Sequence, residues 1–425
     1  MTNCLYDSYR ILTKVYADKT YIKQAITETD IDPLNKSFTV KLCYGTLDKD
    51  IELGYYIEKL TDKTPRLAIR TILKISMYAI KYLNKKDYFI VKSAVDLTKK
   101  LGKSGASGFV NAFLRKFISQ DIPLPVEETE YLSVKYSYPE FAVKELIKDY
   151  GKDRAEKIMG AAHPDNTLCF YDTDGKRYLE EISADYKLTP FNNVFSVKKF
   201  VRNSDYDKGV YTYQSLGSVA ICEEVAPCEN LLDCCAAPGG KSVRLSYKCK
   251  NVVSWDIHEH RVSLIESYAK RMKRNNIKAE VRDAKVLLPE LFGKFDAVLC
   301  DAPCSGLGVV GDDPDIKLNR TESGIYDLMS EQSAILNSVC NYVKIGGFLY
   351  YSTCSVLKKE NIERITSFLE FRDDFVIEEI NSPLAHENLY GTNAFLPDIS
   401  EGNGYFVAKL KPPPIKSEMS DGNSI

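Results

Sequence analysis

The period of the apolar positions changes along this chain. Up to about residue 120 they recur every three or four residues, whereas from about 228 onward short apolar runs alternate with longer helix-spaced stretches. The first pattern predicts amphipathic helices, and the second a sheet with crossover helices on its faces. In the front part, RILTKVYAD, TVKLCYGTLDKDIELGYYIEKL, RLAIRTILKISMYAIKYL and YFIVKSAVDLTKK all carry the helical spacing. Within the third, Leu67, Ile69, Leu73, Met77, Ile80 and Leu83 fall mostly on one face, with Arg66, Arg70, Lys74 and Lys81 off it. A stripe of that kind is core, and no chemistry is assigned to it. GKSGASGFVNAFLRKF (102–117) then gives a glycine and serine turn before one more helix, without the spacing of a phosphate-binding loop.

DIPLPVEETE (121–130) joins two prolines to an acidic run and closes the helical part. Beyond it, YPEFAVKELIKDYGKDRAEKIMGAA reads as helix, and the stretch from Thr167 to about Val201 mixes short apolar runs with turn residues. The later strands are expected at NLLDCC, NVVSWDI, AEVRDA, FDAVLCDAP, GGFLYYSTC, FVIEEI and GYFVAKLK, with crossover helices at 258–276, 322–343 and 358–370. The chain therefore divides into an all-helical front (1–125), a small α+β middle (126–227), an α/β Rossmann-type domain (228–411) and a tail expected to be disordered (412–425).

Composition changes this picture little, but the distribution of charge does. Apolar residues make up 44% and charged residues 27% of 425, an ordinary globular balance. The net charge of -2 conceals a split: residues 1–120 hold 21 lysines and arginines against 12 aspartates and glutamates, a net of +9. The other 305 residues carry a net of -11. A basic front on an acidic body suits a module that meets phosphates, although a solvated lysine-rich face gives the same count.

The N-terminus shows no signal-peptide pattern and no stretch is apolar enough to span a membrane, so a cytoplasmic protein with reduced thiols is expected. Without a CxxC pair, and with only four histidines, no metal site is expected; Asp256, His258 and His260 alternate, but as a polar strand end. A monomer without a membrane partner is the working expectation.

Three motifs carry the chemistry. LLDCCAAPGGKS (231–242) reads as a strand, a glycine turn and a helix start, where Gly239 and Gly240 permit close backbone approach to a nucleotide cofactor. Its APGGK replaces the GxGxxG of dinucleotide enzymes, which argues against NAD. DAPCSGLG (301–308) and YYSTCSV (350–356) each place a cysteine, Cys304 and Cys354, in a loop after an apolar strand. Asp233, Asp256, Asp283 and Asp301 recur at strand ends, where ligands bind in such sheets. Asp256 lies at the end of the second strand, placed for ribose hydroxyls. Two thiols downstream of a cofactor loop suggest covalent catalysis, one attacking an electrophilic ring and the other helping release. Cys234, Cys300 and Cys340 read instead as small buried hydrophobes.

CAAPGGK (235–241), DAPCSG (301–306) and STCS (352–355), in that order, resemble the RNA 5-methylcytosine methyltransferase family. The helical front is similar to the NusB-like RNA-binding domain of one branch of that family, through YGTL (44–47), RLAIRTILKISMYAI and SGFVNAFLRK. The resemblance implies a class I methyltransferase domain on a mixed seven-stranded sheet, S-adenosylmethionine as cofactor, and small-subunit ribosomal RNA or its assembly particle as partner. It implies that Cys235, Ala236, Ala237, Pro238, Gly239, Gly240, Lys241, Asp256, Asp283 and Asp301 bind the cofactor or shape its pocket.

It also implies that Cys354 is the nucleophile, adding to carbon 6 of cytosine so that carbon 5 can take a methyl group. Asp301 is then the acid at nitrogen 3, on the assumption of a raised pKa, and Cys304 assists release. Two departures from the family concern RNA contacts: NTLCF in the middle segment, where relatives carry an arginine and asparagine pair, and Ser215 after Gln214, where an acid is usual. Three functions compete: a ribosomal RNA methyltransferase, or one for another RNA; a non-catalytic RNA-binding factor; and a Rossmann enzyme for a small molecule. Cofactor binding and a requirement for RNA separate them.

Overall fold

In the computed structural model, which describes residues 2–198, 202–400 and 402–412, the chain forms two compact units. One comprises residues 1–160 together with 310–322, and the other residues 161–309 and 323–425. The expected tail, from 413 on, lies outside the described residues.

The first unit is all helical. Its first seven α-helices run Thr2–Asp18, Ile22–Thr27, Pro33–Asp48, Asp50–Leu60, Leu67–Lys81, Asp87–Lys100 and Ser107–Ser119. Their apolar faces meet in a core that includes Leu12, Leu42, Leu53, Leu73, Met77, Ile90, Leu97 and Phe113. The 39–60 stretch, read as one segment, is two helices parted at Lys49; the second opens with Asp50 and Glu52, held by Lys74 at 2.7 Å and Lys81 at 2.9 Å. Lys74, placed off the apolar face by its spacing, is in fact buried. Its pairing with Asp50, which also accepts from the Tyr16 hydroxyl at 2.5 Å, lets the ammonium leave water. Three further helices follow, Glu128–Tyr136, Glu140–Tyr150 and Lys152–Met159, the last two separated at Gly151 with φ +75°.

Segment 310–322 leaves the loop after Asp301 and is part of this helical unit. The Lys317 ammonium, almost wholly buried, donates to the Asp48 carboxylate and carbonyl, both at 2.8 Å, while the Ile22 N–H donates to Asp315 at 3.1 Å.

The second unit holds two sheets. Strands β1 (Asn166–Cys169), β2 (Tyr186–Leu188), β3 (Val194–Val197) and β4 (Thr212–Tyr213) form a small antiparallel sheet in the order β2-β3-β1-β4. Strands β5 (Cys228–Asp233), β6 (Cys249–Asp256), β7 (Ile277–Val281), β8 (Phe295–Asp301), β9 (Val343–Thr353), β10 (Val376–Glu378), β11 (Glu387–Leu389), β12 (Thr392–Phe395) and β13 (Tyr405–Lys411) form the mixed sheet. Its order is β11-β12-β13-β9-β8-β5-β6-β7, with β10 paired to β13. All seven expected strands are present, and the β11–β12 hairpin raises the described sheet to nine.

The five strands β5 to β9 are mutually parallel, as βαβ crossovers require. Both faces are covered, so side chains alternate between two cores: Leu232, Val298, Cys300, Leu349 and Tyr351 enter one, Leu231, Ala297, Leu299 and Tyr350 the other. Cys234, Cys300 and Cys340 are buried in the first of these, as small hydrophobes. No helix among the described residues is long and apolar enough to cross a membrane.

Candidate active site

The strand order fixes where a ligand can sit. From β5 the chain steps outward to β6 and β7, then returns to the other side of β5 for β8 and β9, so the order reverses between β5 and β8. A crevice opens at the carboxyl ends of such a switch point. Across that edge the strand ends carry, in spatial order, Cys354 after β9, Asp301 on β8, Asp233 on β5, Asp256 on β6 and Asp283 after β7. Residues as far as 121 positions apart in sequence thus share one rim.

At β5, Asp233 ends the strand and the chain turns through 234–239 into the helix Gly240–Leu245. The Ala236 N–H donates to the Trp255 carbonyl on the neighbouring strand at 2.8 Å, Gly239 closes a tight turn onto Ala236 at 2.7 Å, and the Ala237–Pro238 peptide is cis. Gly239 adopts φ +104°, the left-handed region that a side chain resists, and a Cβ there would lie 3.1 Å from Ile265 Cα. Asp233 is fully buried; its Oδ2 accepts from Ser242 at 2.6 Å and its Oδ1 has no partner. Burial, with the nearby Asp301 charge, pushes its carboxyl up to about 7 against the relief from Ser242 and Lys241.

Lys241 points from the helix start to Asp301, with Nζ 2.6 Å from Oδ2, and the other Asp301 oxygen accepts from Ser352 at 2.7 Å. Burial disfavours the Lys241 ammonium, but the Asp301 charge outweighs it and the lysine is raised above its ordinary value. Lys241 and Asp301 therefore form one ion pair. Tyr405 flanks it, its ring centre 5.8 Å from Nζ, and its hydroxyl lies 2.6 Å from the Ser215 Oγ. Ser215, where an acid is usual, is thereby tied to β13. Farther along the rim, Asp256 and Asp283 each accept a backbone N–H of their own turn, from His258 at 3.0 Å and Lys285 at 2.9 Å.

The two thiols meet although 50 residues separate them. Cys304 Sγ and Cys354 Sγ are 3.3 Å apart, and the Cys354 N–H donates to Cys304 Sγ at 3.3 Å. The loops are stitched by Ala302 N–H to the Ser352 carbonyl at 2.9 Å and Gly308 N–H to the Cys354 carbonyl at 3.0 Å. Cys304 is buried and Cys354 half-buried. The Cys304 thiol is held well above its ordinary value by its contact with Cys354, by burial, and by the charges of Cys354 and Glu360. The structure thus joins Lys241, Asp301, Cys304 and Cys354 in one place, with the cofactor turn adjoining them through Lys241.

Known relatives can now be set beside this geometry. A family model described as 16S rRNA methyltransferase RsmB/F matches residues 221–411, and one for the NusB family matches residues 8–119. A Bacillus subtilis protein named "Probable ribosomal RNA small subunit methyltransferase B" is 32% identical over 92% of this chain and 93% of its own length. The chain belongs to the RsmB/F family. A Photorhabdus laumondii member, named ribosomal RNA small subunit methyltransferase B, is 28% identical over 92% of each chain. Among solved structures, PH0851 superposes with a TM-score of 0.82 at 22% identity over 96% of this chain and 98% of its own, which shows the shared fold. NSun6 from Pyrococcus horikoshii superposes with a TM-score of 0.57 at 18% identity over 65% of this chain and 99% of its own.

As an RsmB/F member the chain is an S-adenosylmethionine-dependent RNA methyltransferase. The site suits that cofactor: Asp233 Oδ1 is a buried acceptor without a donor, beside a glycine turn with room for a close ligand, since a Cβ on Gly240 would meet only the Tyr268 ring at 3.9 Å. Sequence reading missed Glu360, Gln332, Ser305 and Ser355, which surround the thiol loops. One signal was available: each cysteine is followed by serine.

Proposed function

We propose that the protein methylates carbon 5 of a cytosine in 16S ribosomal RNA through a covalent Cys354 adduct. The observation that carries this reading is the 3.3 Å approach of Cys304 and Cys354 in the loops after β8 and β9, on the same rim as the Lys241–Asp301 pair. When bound, S-adenosylmethionine supplies an electrophilic methyl group.

Carbon 5 of cytosine is a poor nucleophile until a thiolate adds to carbon 6. Cys354, the more exposed thiol, is assigned that addition, and its loop lies at the strand end next to Asp301. Charge gathers at nitrogen 3 as the thiolate adds. Both Asp301 oxygens already accept hydrogen bonds, one from an ammonium, so Lys241 is assigned as the donor toward nitrogen 3 and Asp301 as the acceptor that orients it and can receive the exocyclic amino group.

Release follows from the coupling of the thiols. The Cys354 contact and its charge oppose ionisation of Cys304 in the resting enzyme. Once Cys354 is bonded to carbon 6 its charge no longer opposes ionisation of Cys304, which gives its own proton to solvent and then, as the thiolate, takes the carbon 5 proton while the carbon–sulfur bond breaks and Cys354 leaves as the thiolate. The cofactor is assigned to the turn Cys235 to Lys241, with Asp256 at the ribose and Asp283 at the outer rim. The basic front, residues 1–125, is assigned to ribosomal RNA or an assembly particle, and residues 126–227 to a supporting middle domain ahead of the methyltransferase domain at 228–411.

The test is transfer of labelled methyl from S-adenosylmethionine to unmodified small-subunit RNA, naked and as assembly particles, with the labelled base identified after digestion. Label in 5-methylcytosine is expected. Label in another base would overturn the chemistry, and label only in a different RNA would overturn the substrate.

A further inference from the structure

Six residues after Cys354, in the 3₁₀ turn Lys358–Glu360, lies a carboxylate that the chemistry above does not use. Glu360 is fully buried and accepts from four donors: the Ser305 N–H at 2.7 Å and the Gln332 amide at 3.1 Å on Oε1, the Ser305 hydroxyl at 2.5 Å and the Ser355 hydroxyl on Oε2. Ser305 follows Cys304 and Ser355 follows Cys354, and their two hydroxyls are 3.0 Å apart. One carboxylate oxygen therefore holds both residues that adjoin the thiols. The Gln332 amide also donates to the Pro303 carbonyl at 3.0 Å, so the residue before Cys304 is tied to the same group.

The turn that presents Glu360 is braced in its own right. The Tyr351 hydroxyl donates to the Glu360 carbonyl at 2.7 Å. Asn361 accepts from the Thr353 hydroxyl at 2.6 Å and donates to the Ser355 carbonyl at 2.9 Å. Glu360 is thus fixed to the Cys354 loop by its backbone and its neighbour, and reaches the Cys304 loop only through its side chain. A buried ion costs several kcal/mol unless its lone pairs are satisfied, so four donors define a site built for a charge at this spot.

We propose that Glu360 is the positioning residue of the thiol pair, clamping the Cys304 loop to the Cys354 loop through Ser305 and Ser355 so that both sulfurs face one base. The proposal rests on the reading of Cys354 and Cys304 as nucleophile and release group. Glu360, fully buried, is assigned no contact with the substrate. Its removal should change the relation between adduct formation and adduct resolution more than it changes binding, since a misplacement of about 1 Å costs on the order of 10²-fold in rate.

The experiment compares wild type, Cys354→Ala, Glu360→Ala and Glu360→Gln in the full chain with unmodified small-subunit RNA. Turnover is normalised to sites that bind S-adenosylmethionine, and the covalent RNA adduct is followed in single turnover. Glu360→Ala should lose on the order of 10²-fold in kcat with KM values for RNA and cofactor changed less than about threefold, and the adduct should persist because Cys304 no longer meets it. Glu360→Gln keeps an oxygen for the Ser305 N–H and the Gln332 amide and lets the hydroxyls turn to accept, so it should recover most of the loss.

Wild-type turnover per cofactor-binding site in Glu360→Ala would overturn the proposal and leave Glu360 a packing residue. Equal loss in the Ala and Gln variants would overturn it too, assigning the effect to charge rather than placement. Activity in Cys354→Ala would instead sink the underlying assignment. Should Glu360→Ala fail to fold, the double variant Ser305→Ala with Ser355→Ala removes both hydroxyl arms of the clamp and leaves Glu360 only the Ser305 N–H bond directly to the Cys304 loop. It should show the same split between kcat and KM, and its absence would count against the clamp.

Discussion

Cys304 and Cys354 are chemically alike but differ in surroundings, and the tasks proposed for them rest on that difference. The Cys304 thiol is pushed well above its ordinary value by its contact with Cys354, by burial and by the Cys354 and Glu360 charges, whereas Cys354 is the more exposed of the two. With Cys304→Ala, addition and methyl transfer should proceed but release should stall, so the enzyme accumulates on RNA as a band of reduced mobility under denaturing conditions; Cys354→Ala should show neither adduct nor product while still binding cofactor. Normal turnover without adduct in Cys304→Ala would reassign it to packing.

Asp233 gives a second prediction at this scale. Its carboxyl is about 3.8 when unfolded and about 7 when folded, so the folded state holds the extra proton between those values. The ionisation-linked cost of its burial is therefore absent below about pH 4, grows up to about pH 7, and then levels off, at roughly 4 kcal/mol at most. The Asp233→Asn variant lacks that penalty, so its thermal midpoint relative to wild type should rise across this window and stay constant above it. A difference independent of pH would show that Asp233 is not the group titrating.

The elements were legible in the sequence where one face differed from the other, or where a short apolar run stood between turn residues. The crossover helices and most of the front helices carried the first signal and the seven expected strands the second, since those inside the sheet are buried on both faces, and all are present. The helix Leu216–Glu224 carried none: residues from Leu216 through Cys222 are buried all round, so no stripe marked it. The β11 and β12 strands are three and four residues long, too short to show a period. Cys304 and Cys354 stood out because each sits in a polar loop after an apolar strand. The Lys241–Asp301 pair and Glu360 did not, because their partners arrive from other strands and loops.

The seam between the two thiol loops yields an element-scale prediction. Gly308 donates its N–H to the Cys354 carbonyl at 3.0 Å and accepts from the Gly404 N–H at 2.6 Å. A Cβ at Gly308 would lie 2.2 Å from the Gly404 carbonyl oxygen and 2.8 Å from that of Cys354, both backbone atoms that no rotamer change can move. Gly308→Ala must therefore push the loops apart. It is expected to lower kcat on the order of 10²-fold while cofactor affinity, proposed to be set mainly at the ends of β5 and β6, stays near wild type. Equal loss of cofactor affinity would mean that the whole rim had collapsed.

At the scale of the molecule, charge is divided unevenly: a front of +9 over residues 1–120 and an acidic remainder. The net value of -2 hides this, and only the split made a polyanionic partner readable. If the helical front supplies phosphate contacts, affinity for RNA should fall steeply with salt, because each neutralised phosphate releases counterion at a slope of about 0.7 per contact for single strands. Lys92, Lys99 and Lys103 are exposed on or just beyond the helix Asp87–Lys100. Replacing all three by glutamine should flatten the slope of log affinity against log salt by about 2, while cofactor binding and turnover at saturating RNA stay near wild type because the site lies in the other unit. An unchanged slope with weakened binding would place the phosphate contacts elsewhere, since lost shape complementarity lowers affinity without changing the number of ions released.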